Sequence, residues 1–347
     1  MRSISINGKV YSDDTLPYVI AEVGHNHQGN LETAVKLIQA AAASGANAVK
    51  FQKRDNKNLY SEEAFHAPYL SENAYGSTYG SHREALEFGR EEYSVCIAEA
   101  KRHNIDFFAT AFDFKSADFL MEMEVPAFKV ASGDLKSIPL IRYLSKLGKP
   151  LIISTGGGLI EDIDTAVRTA SESNSNIALL QCTAGYPPEY SELNLNVIRT
   201  YRERYPEVVV GYSGHDSGIS MALVSFVLGA RVIEKHFTLN RAMKGTDHAF
   251  SLEPVGMSKM IRDIGRAKTA MGDGIKIPYP SEEAPLIKMG KSLYATRNLQ
   301  KGELLSEDMF DLRSPAIGIP PSRIEEFLGR PIVNLVTSGS VIRESDF

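Results

Sequence analysis

The chain has 347 residues, of which 43% are hydrophobic and 23% are charged, a composition typical of a globular protein with one large domain and one small one. Its 38 basic and 43 acidic residues give a net charge of −5, which argues against nucleic acid or an anionic membrane as the main partner. Because its two cysteines, Cys96 and Cys182, cannot form a disulfide framework and the N-terminus lacks an apolar signal core, we expect a cytoplasmic protein.

Up to about residue 262, short β-branched or aromatic runs alternate with amphipathic stretches of helical period. The runs predict eight strands, at residues 18–23, 48–52, 106–110, 127–131, 151–154, 178–182, 208–212 and 232–236. Helices are predicted between them, for example at 31–44, 93–103, 160–171 and 193–204. Apolar strands that alternate with helices indicate a parallel sheet buried on both faces, and eight such units predict an α/β fold, a (β/α)8 TIM barrel. An open, doubly wound sheet is the alternative.

The composition changes after the predicted barrel domain, which we assign to residues 1–272. The proline-containing segment at 273–286 is typical of a linker. Residues 287–347 contain short runs separated by glycine and proline, which predict a small, mostly β domain. So short a chain gives a thin core, and we therefore expect this domain to pack against another surface.

Reactive side chains lie at or just beyond the C-terminal ends of the predicted strands, where TIM barrels form their active sites. In chain order they are Glu22, Lys53, Thr110, Lys129, Ser132, Asp134, Ser154, Tyr186, Ser213, His215 and His236. One such residue means little, but every predicted strand carries at least one. The pattern therefore predicts a polar active site at this end of the barrel.

Two lysines of this set, Lys53 and Lys129, are accompanied by hydroxyl groups. The hydroxyl groups are those of Thr110, Ser132, Ser154 and Ser213. Ammonium and hydroxyl groups together predict a site for phosphate and carboxylate groups. Either lysine alone could equally be a structural residue that pairs with a helix carboxylate, but two of them beside hydroxyl groups favour binding.

His215 and His236 end neighbouring predicted strands, so their imidazoles can converge. Two neutral imidazoles with open positions suit a catalytic divalent ion such as Mn²⁺ or Mg²⁺, and they are too few for a closed structural zinc site. Since a lone histidine is more often structural, the absence of an obvious third ligand leaves that alternative open. His25 and His27 lie in a polar loop after the first predicted strand, and we interpret them as loop-shaping residues and part of a substrate wall.

Ten segments, ordered along nearly the whole chain, resemble one known family, the N-acetylneuraminate (sialic acid) synthases. They are IAEVGHNHQGN, AVKFQK, FFATAFD, FKVASGDL, LIISTGG, LLQCTAGYPP, VGYSGHDSGI, VIEKHFTL, KGTDHAFSLEP and KSLYATRNLQKGELLSEDM. The part from about residue 287 is similar to the antifreeze-like (SAF) domain that ends these enzymes. The resemblance implies a homodimer in which the C-terminal domain of one protomer covers its partner's active site. It also implies the condensation of phosphoenolpyruvate with an N-acylmannosamine-type sugar.

The resemblance also implies roles for individual residues. Those implied to bind phosphoenolpyruvate are Lys53, Thr110, Lys129, Ser132, Ser154, Tyr186 and Ser213. Those implied to face the sugar are Glu22, Asn73, Tyr186, Asp247 and, from the partner's C-terminal domain, Arg313. His215 and His236 are implied to bind Mn²⁺, with Mg²⁺ or Co²⁺ as alternatives. Asp134, where family members have either Glu or Asp, is the predicted proton-transfer group.

The sequence leaves the sugar open among N-acetylmannosamine, its 6-phosphate, and the diacetamido trideoxy sugars of legionaminic and pseudaminic acid. Residues 74–83 resemble animal-type enzymes that take the 6-phosphate, and Arg83 could contact a phosphate, whereas Arg313 resembles bacterial enzymes that take the free sugar. We expect free N-acetylmannosamine. The alternative classes are a metal-dependent aldolase, which would release no phosphate, and a non-catalytic carbohydrate-binding or ice-binding protein.

Overall fold

A computed structural model describes residues 2–347, which divide into two compact units, one ending at Met271 and the other covering Gly272–Phe347. The first unit begins with an antiparallel hairpin of β1 (Ser3–Ile6) and β2 (Lys9–Ser12). Eight further strands follow: β3 (Tyr18–Gly24), β4 (Ala48–Lys53), β5 (Asp106–Ala111), β6 (Phe128–Val130), β7 (Leu151–Ser154), β8 (Ile177–Cys182), β9 (Val209–Gly214) and β10 (Val232–His236). They pair in parallel as a closed barrel in the order β10-β3-β4-β5-β6-β7-β8-β9. The predicted TIM barrel is confirmed, and the open sheet is excluded.

Helices surround the barrel. They are α1 (Leu31–Ala43), α2 (Asn56–Leu59), α3 (Glu62–His66), α4 (Tyr79–Leu86), α5 (Arg90–Arg102), α6 (Phe114–Glu122), α7 (Ile138–Lys146), α8 (Ile160–Ser171), α9 (Val197–Arg204), α10 (Ser220–Val227) and α11 (Pro254–Met271). Short 3₁₀ turns at Ser132–Asp134 and Tyr190–Glu192 interrupt two of the loops. None of the described helices is both long enough and apolar enough to span a membrane.

The first of these helices shows why the sequence folds as predicted. α1 begins after Asn30, whose side chain accepts a hydrogen bond from the backbone N–H of Thr33 at 2.8 Å, as an N-cap residue does. The helix buries Ala34, Leu37, Ile38 and Ala41, and this spacing of three and four residues places them on one face. That face packs in the same apolar core as the barrel strands, which are buried along nearly their whole length.

The N-terminal hairpin was not predicted, and it lies at the N-terminal ends of the barrel strands. Ile4 and Ile6 are fully buried in the barrel core. The backbone N–H of Ser5 donates to Asn176 Oδ1 at 2.8 Å, just before β8, and the Asn7 amide donates to Asp106 at the start of β5 at 2.7 Å. The hairpin therefore covers the end of the barrel opposite to the predicted site.

The second unit contains α12 (Glu283–Met289) and a two-stranded antiparallel sheet of β11 (Ser292–Ala295) and β12 (Phe310–Arg313). Its 3₁₀ turns are Pro280–Glu282, Glu307–Met309, Pro321–Glu326 and Glu344–Asp346. A small core of its own contains Leu293, Leu299, Leu305, Ile319, Phe327, Ile332, Val336 and Ile342. The predicted small domain with short strands is confirmed. The segment predicted as a linker at 273–286 differs in that it contains the first 3₁₀ turn and the start of α12.

Candidate active site

A cavity of about 550 Å³ lies at the C-terminal ends of the barrel strands. Ten of the predicted site residues line it: Glu22, Thr110, Lys129, Ser132, Ser154, Tyr186, Ser213, His215, His236 and Asp247. These residues come from seven strands or the loops that follow them, so only the closed barrel brings them together. Of the other four predicted residues, Arg313 belongs to the second unit, and Lys53, Asn73 and Asp134 of the first unit are not among the lining residues.

The structure contradicts the placement of Lys53 in this cavity, and Lys50 takes its place. The Lys53 ammonium donates to Glu87 Oε1 at 2.7 Å and to the backbone oxygen of Phe88 at 2.9 Å. Lys50 Nζ instead lies 2.5 Å from Glu22 Oε2 and donates to Thr110 Oγ1 at 2.9 Å. The physical reason is that successive side chains of a strand point to opposite faces, so residues three apart in β4 cannot share a face. The alternation in AVKFQK could have revealed Lys50 from the sequence.

Two lysines and two glutamates form a buried charge cluster at the floor of the cavity. Lys50 contacts Glu22 and lies 3.7 Å from Glu234, while Lys129 donates to Ser154 Oγ at 2.6 Å and lies 3.9 Å from Glu234. Burial raises the pKa of Glu22 to about 7, against the opposing effect of Lys50. Burial would also raise the pKa of Glu234, but Lys129 and Lys50 outweigh it and hold that pKa below its usual value. With Glu22 protonated, the cluster carries one excess positive charge, which favours an anion.

His215 and His236 converge at the same end of the barrel, with ring centroids 5.2 Å apart. Nδ1 of His215 lies 3.0 Å from the backbone oxygen of Thr183, which can only accept, so the proton is on Nδ1 and the lone pair is on Nε2. Burial, with His236 as the next cause, lowers the pKa of His215 to about 3, so its ring is neutral. Nδ1 of His236 is buried and has no hydrogen-bond partner among the described residues; Asp247 Oδ2 lies 3.7 Å from it.

These donors fit a divalent ion that also binds substrate oxygens. A neutral imidazole held through its other nitrogen by a backbone oxygen is the arrangement that orients a metal-ligating histidine. Residues 2–347 contain no group of three or more His, Cys, Asp or Glu side chains placed to hold an ion. An ion bound by His215 and His236 would therefore keep positions open for other ligands.

A buried ion pair joins the two strand ends that carry the histidines, and neither of its residues was predicted from the sequence. Lys235 Nζ donates to Asp216 Oδ1 at 2.9 Å, and the Tyr212 hydroxyl donates to the same oxygen at 2.7 Å. Lys235 and Asp216 are each 1% exposed. Because these residues adjoin His236 and His215, the pair ties the end of β9 to the end of β10 behind the imidazoles.

The other three predicted residues have separate environments. Asp134 lies in the 3₁₀ turn after β6 and accepts from the Ser137 hydroxyl at 3.2 Å; burial raises its pKa. Asn73 Oδ1 accepts from the backbone N–H of Gly245 at 2.9 Å, so it supports the loop that carries Asp247. Arg313 belongs to the second unit, where it pairs with Asp311 at 2.6 Å.

The loop after β3 separates the roles of its two histidines. His27 is buried, stacks on Phe51 with ring centroids 5.3 Å apart, and accepts the backbone N–H of Gly29 at 3.1 Å, as a loop-shaping residue does. Burial lowers the pKa of His27 to about 3. His25 lines the cavity together with Arg54 and Arg83.

The closed barrel with a polar cavity at the C-terminal ends of its strands, followed by a small domain, is a combination that also occurs in a known protein family. Residues 37–276 match the NeuB family and residues 290–347 match the SAF domain. The chain therefore belongs to the NeuB family, and the resemblance stated above is confirmed.

Individual relatives span almost the whole chain. The N,N′-diacetyllegionaminic acid synthase of Campylobacter jejuni subsp. jejuni is 39% identical over 330 residues, which cover 94% of this chain and 98% of that protein. The N-acetylneuraminate-9-phosphate synthase of Homo sapiens is 35% identical over 328 residues, which cover 94% of this chain and 91% of that protein. The crystal structure of the N-acetylneuraminic acid (sialic acid) synthetase from Leptospira borgpetersenii serovar Hardjo-bovis, in complex with citrate, has a TM-score of 0.72 and 31% identity, and covers 82% of this chain and 95% of its own.

Proposed function

We propose that the chain is a phosphoenolpyruvate-dependent nonulosonic acid synthase that takes an N-acylmannosamine-type sugar. The observation that carries the proposal is the cavity that combines two buried lysines and several hydroxyl groups with a pair of buried imidazoles. The names of the relatives support the same chemistry, since they are synthases of sialic and legionaminic acids.

Phosphoenolpyruvate is proposed to bind over the lysine side of the cavity. Lys50 and Lys129 supply the positive charge, and the hydroxyl oxygens of Thr110 and Ser154 accept hydrogen bonds from these ammonium groups. Ser213 and Ser132 would complete the set of hydroxyl donors. Charged donors of this kind hold phosphate and carboxylate groups more strongly than neutral donors do.

The sugar is proposed to bind beside Glu22, Tyr186 and Asp247, with its aldehyde carbon facing the imidazole pair. A divalent ion held by His215 and His236, Mn²⁺ in preference to Mg²⁺ or Co²⁺, would polarise the aldehyde oxygen. The bond that forms joins C3 of phosphoenolpyruvate to C1 of the open-chain sugar, and water adds to C2. The bond between C2 and the oxygen that carries the phosphorus then breaks, the new hydroxyl at C2 loses its proton, and inorganic phosphate leaves. The 2-keto acid is the product.

Proton transfers in this scheme fall to two carboxyl groups. Asp134 does not line the cavity, so it is proposed to act on the attacking water through a bridging water. Burial raises its pKa, which makes this group a better base than an ordinary aspartate. Glu22, with a pKa of about 7, can donate or accept a proton near neutral pH and is proposed to orient the sugar hydroxyls. We further propose that the chain acts as a homodimer in which Arg313 reaches the partner's site.

The test is phosphate release from phosphoenolpyruvate with Mn²⁺ and each candidate sugar in turn, with His215→Ala measured alongside. We expect phosphate release that needs both the sugar and an intact His215. If pyruvate in place of phosphoenolpyruvate gave the same sugar acid at the same rate, the reaction would be an aldol addition, and the synthase proposal would be wrong. If no sugar elicited phosphate release, the proposal would also be wrong.

A further inference from the structure

We propose that Arg54 and Arg83 form a second anion site in the same cavity and that this site binds a phosphate group carried by the sugar substrate. The inference rests on the proposed function, because it specifies the sugar that the proposed reaction takes. It reverses the expectation from the sequence that the free sugar is used.

The two arginines meet at one imidazole. Nη1 of Arg54 lies 3.1 Å from Nε2 of His25, and Nη1 of Arg83 lies 3.3 Å from Nδ1 of the same ring. A neutral imidazole has one N–H and one lone pair, so it can accept a hydrogen bond from only one of the two guanidinium groups. Burial, followed by the two arginines, holds the pKa of His25 well below its usual value, so the ring is neutral. One guanidinium N–H at this point therefore faces an N–H and lacks an acceptor.

Neither arginine has a negative partner of its own. Among the described residues, neither guanidinium group forms an ion pair. The nearby Glu87 pairs with Lys53 and accepts only from the backbone N–H of Arg54, at 3.3 Å. The side-chain partners of the arginines are otherwise neutral: Gln52 Oε1 accepts from Arg54 at 2.7 Å, and the Tyr79 hydroxyl accepts from Arg83 at 2.8 Å. The Nε of Arg83 is buried without any hydrogen-bond partner in the described part of the chain. By contrast, both lysines of the floor have a glutamate within ion-pair distance.

Two guanidinium groups with unused donors are suited to a phosphate monoester. The planar guanidinium presents N–H groups in a fork that matches two phosphate oxygens, and the charge of a dianion offsets the repulsion between two arginines. Arg54 is only 7% exposed, so its charge is poorly screened by water. An anion at this position would supply the acceptors that His25 cannot.

The position of the pair distinguishes it from the proposed phosphoenolpyruvate site. Arg54 follows β4, and Arg83 projects from α4, in the long segment between β4 and α5, whereas the two lysines lie on the strands themselves. The side chain of Gln52 stands between the groups, since it donates to Glu22 at 2.9 Å and accepts from Arg54. The carboxylate and phosphate of phosphoenolpyruvate are attached to adjacent carbons and belong together at one place. A phosphate on C6 of a hexose lies at the end remote from the aldehyde, as a second and separate anion site requires.

The experiment measures binding by calorimetry in the full-length chain with Mn²⁺. The probes are N-acetylmannosamine, N-acetylmannosamine 6-phosphate and phosphoenolpyruvate. The variants are Arg83→Met, Arg54→Met and the control Arg102→Met, whose arginine is exposed on α5 and pairs with Glu99. We expect the wild type to bind the 6-phosphate more tightly than the free sugar. Each cavity variant should weaken the binding of the 6-phosphate about 10- to 100-fold, because one charged contact is lost, and should change the affinity for the free sugar by less than about threefold.

Each outcome decides the question. The proposal is overturned if the wild type does not prefer the 6-phosphate, or if Arg83→Met weakens both sugars alike. It is also overturned if the variants weaken phosphoenolpyruvate instead, because the arginines would then bind that substrate. Phosphate release with phosphoenolpyruvate present tests the reaction separately. Tight, arginine-dependent binding of the 6-phosphate without phosphate release would support this site and refute the synthase proposal.

Discussion

The structure assigns Lys50 to the cavity in place of the predicted Lys53, and this assignment can be tested by replacing each lysine in turn with methionine. Methionine keeps most of the apolar stem and removes the charge. Lys50→Met deletes one partner of a pair in which both side chains are at most 3% exposed, whereas Lys53→Met deletes a partner of Glu87 outside the cavity. The proposed role of Lys50 predicts that only Lys50→Met weakens the binding of phosphoenolpyruvate.

The magnitudes follow from burial and charge. Removing one partner of a buried ion pair costs about 3–5 kcal/mol when the other charge remains. Burial already raises the pKa of Glu22 to about 7, and loss of the Lys50 cation raises it further. A carboxyl with a raised pKa stabilises the fold while it is protonated, and this contribution is lost as pH rises through its folded pKa. We therefore expect Lys50→Met to lower the free energy of unfolding by about 3 kcal/mol at pH 8 and by about 1.5 kcal/mol at pH 6.

The assays are urea denaturation at the two pH values and calorimetric titration with phosphoenolpyruvate. A charged contact contributes about 1.5–3 kcal/mol, so Lys50→Met should raise the dissociation constant for phosphoenolpyruvate about 10- to 100-fold. Lys53→Met should change it by less than about threefold, the scatter expected for a residue that makes no contact. Equal losses in both variants, or a loss in Lys53→Met alone, would refute the assignment of Lys50.

Three further predictions concern stability and are read from denaturation curves. His27 has a pKa of about 3 in the fold against an ordinary value of 6.5, so its contribution to stability is full above pH 6.5 and falls as the pH is lowered. Between pH 7 and pH 5 the wild type should therefore lose about 2 kcal/mol more free energy of unfolding than His27→Phe, and equal losses would contradict this. A Cβ at Gly29 would lie 2.1 Å from a backbone oxygen of α4, whereas a Cβ at Gly8, which also has a positive φ, would meet open space. Gly29→Ala should therefore cost about 3 kcal/mol of stability and the control Gly8→Ala about 1 kcal/mol, and similar costs would refute the clash. Lys235→Met should cost about 3–5 kcal/mol because it strands the buried Asp216, and Asp216→Asn in the same chain should restore more than half; no rescue would mean that the stranded charge is not the cause.

Pattern and chemistry in the sequence determined the barrel and much of its site. The eight apolar strands alternate with helices, and in a closed parallel barrel all their C-terminal ends meet at one edge, so residues such as Thr110, Ser154 and His236 had to converge there. The family motifs added Asp247, which no strand pattern would have found. Lys50 was missed although the alternation of β4 contains the signal.

Only the tertiary structure decided the partners of these residues. The arginine pair brings together His25 from the loop after β3, Arg54 from the end of β4 and Arg83 from α4, and no periodicity relates the three. Likewise, nothing in the sequence around Glu234 indicates its partners, whereas the closed barrel places its carboxylate 3.9 Å from Lys129 and 3.7 Å from Lys50. Spacing along the chain fixes which face of an element a side chain occupies, whereas long-range packing fixes which charge it meets and how much water is left between them. The electrostatics of this cavity therefore depend on contacts between residues that are distant in the sequence.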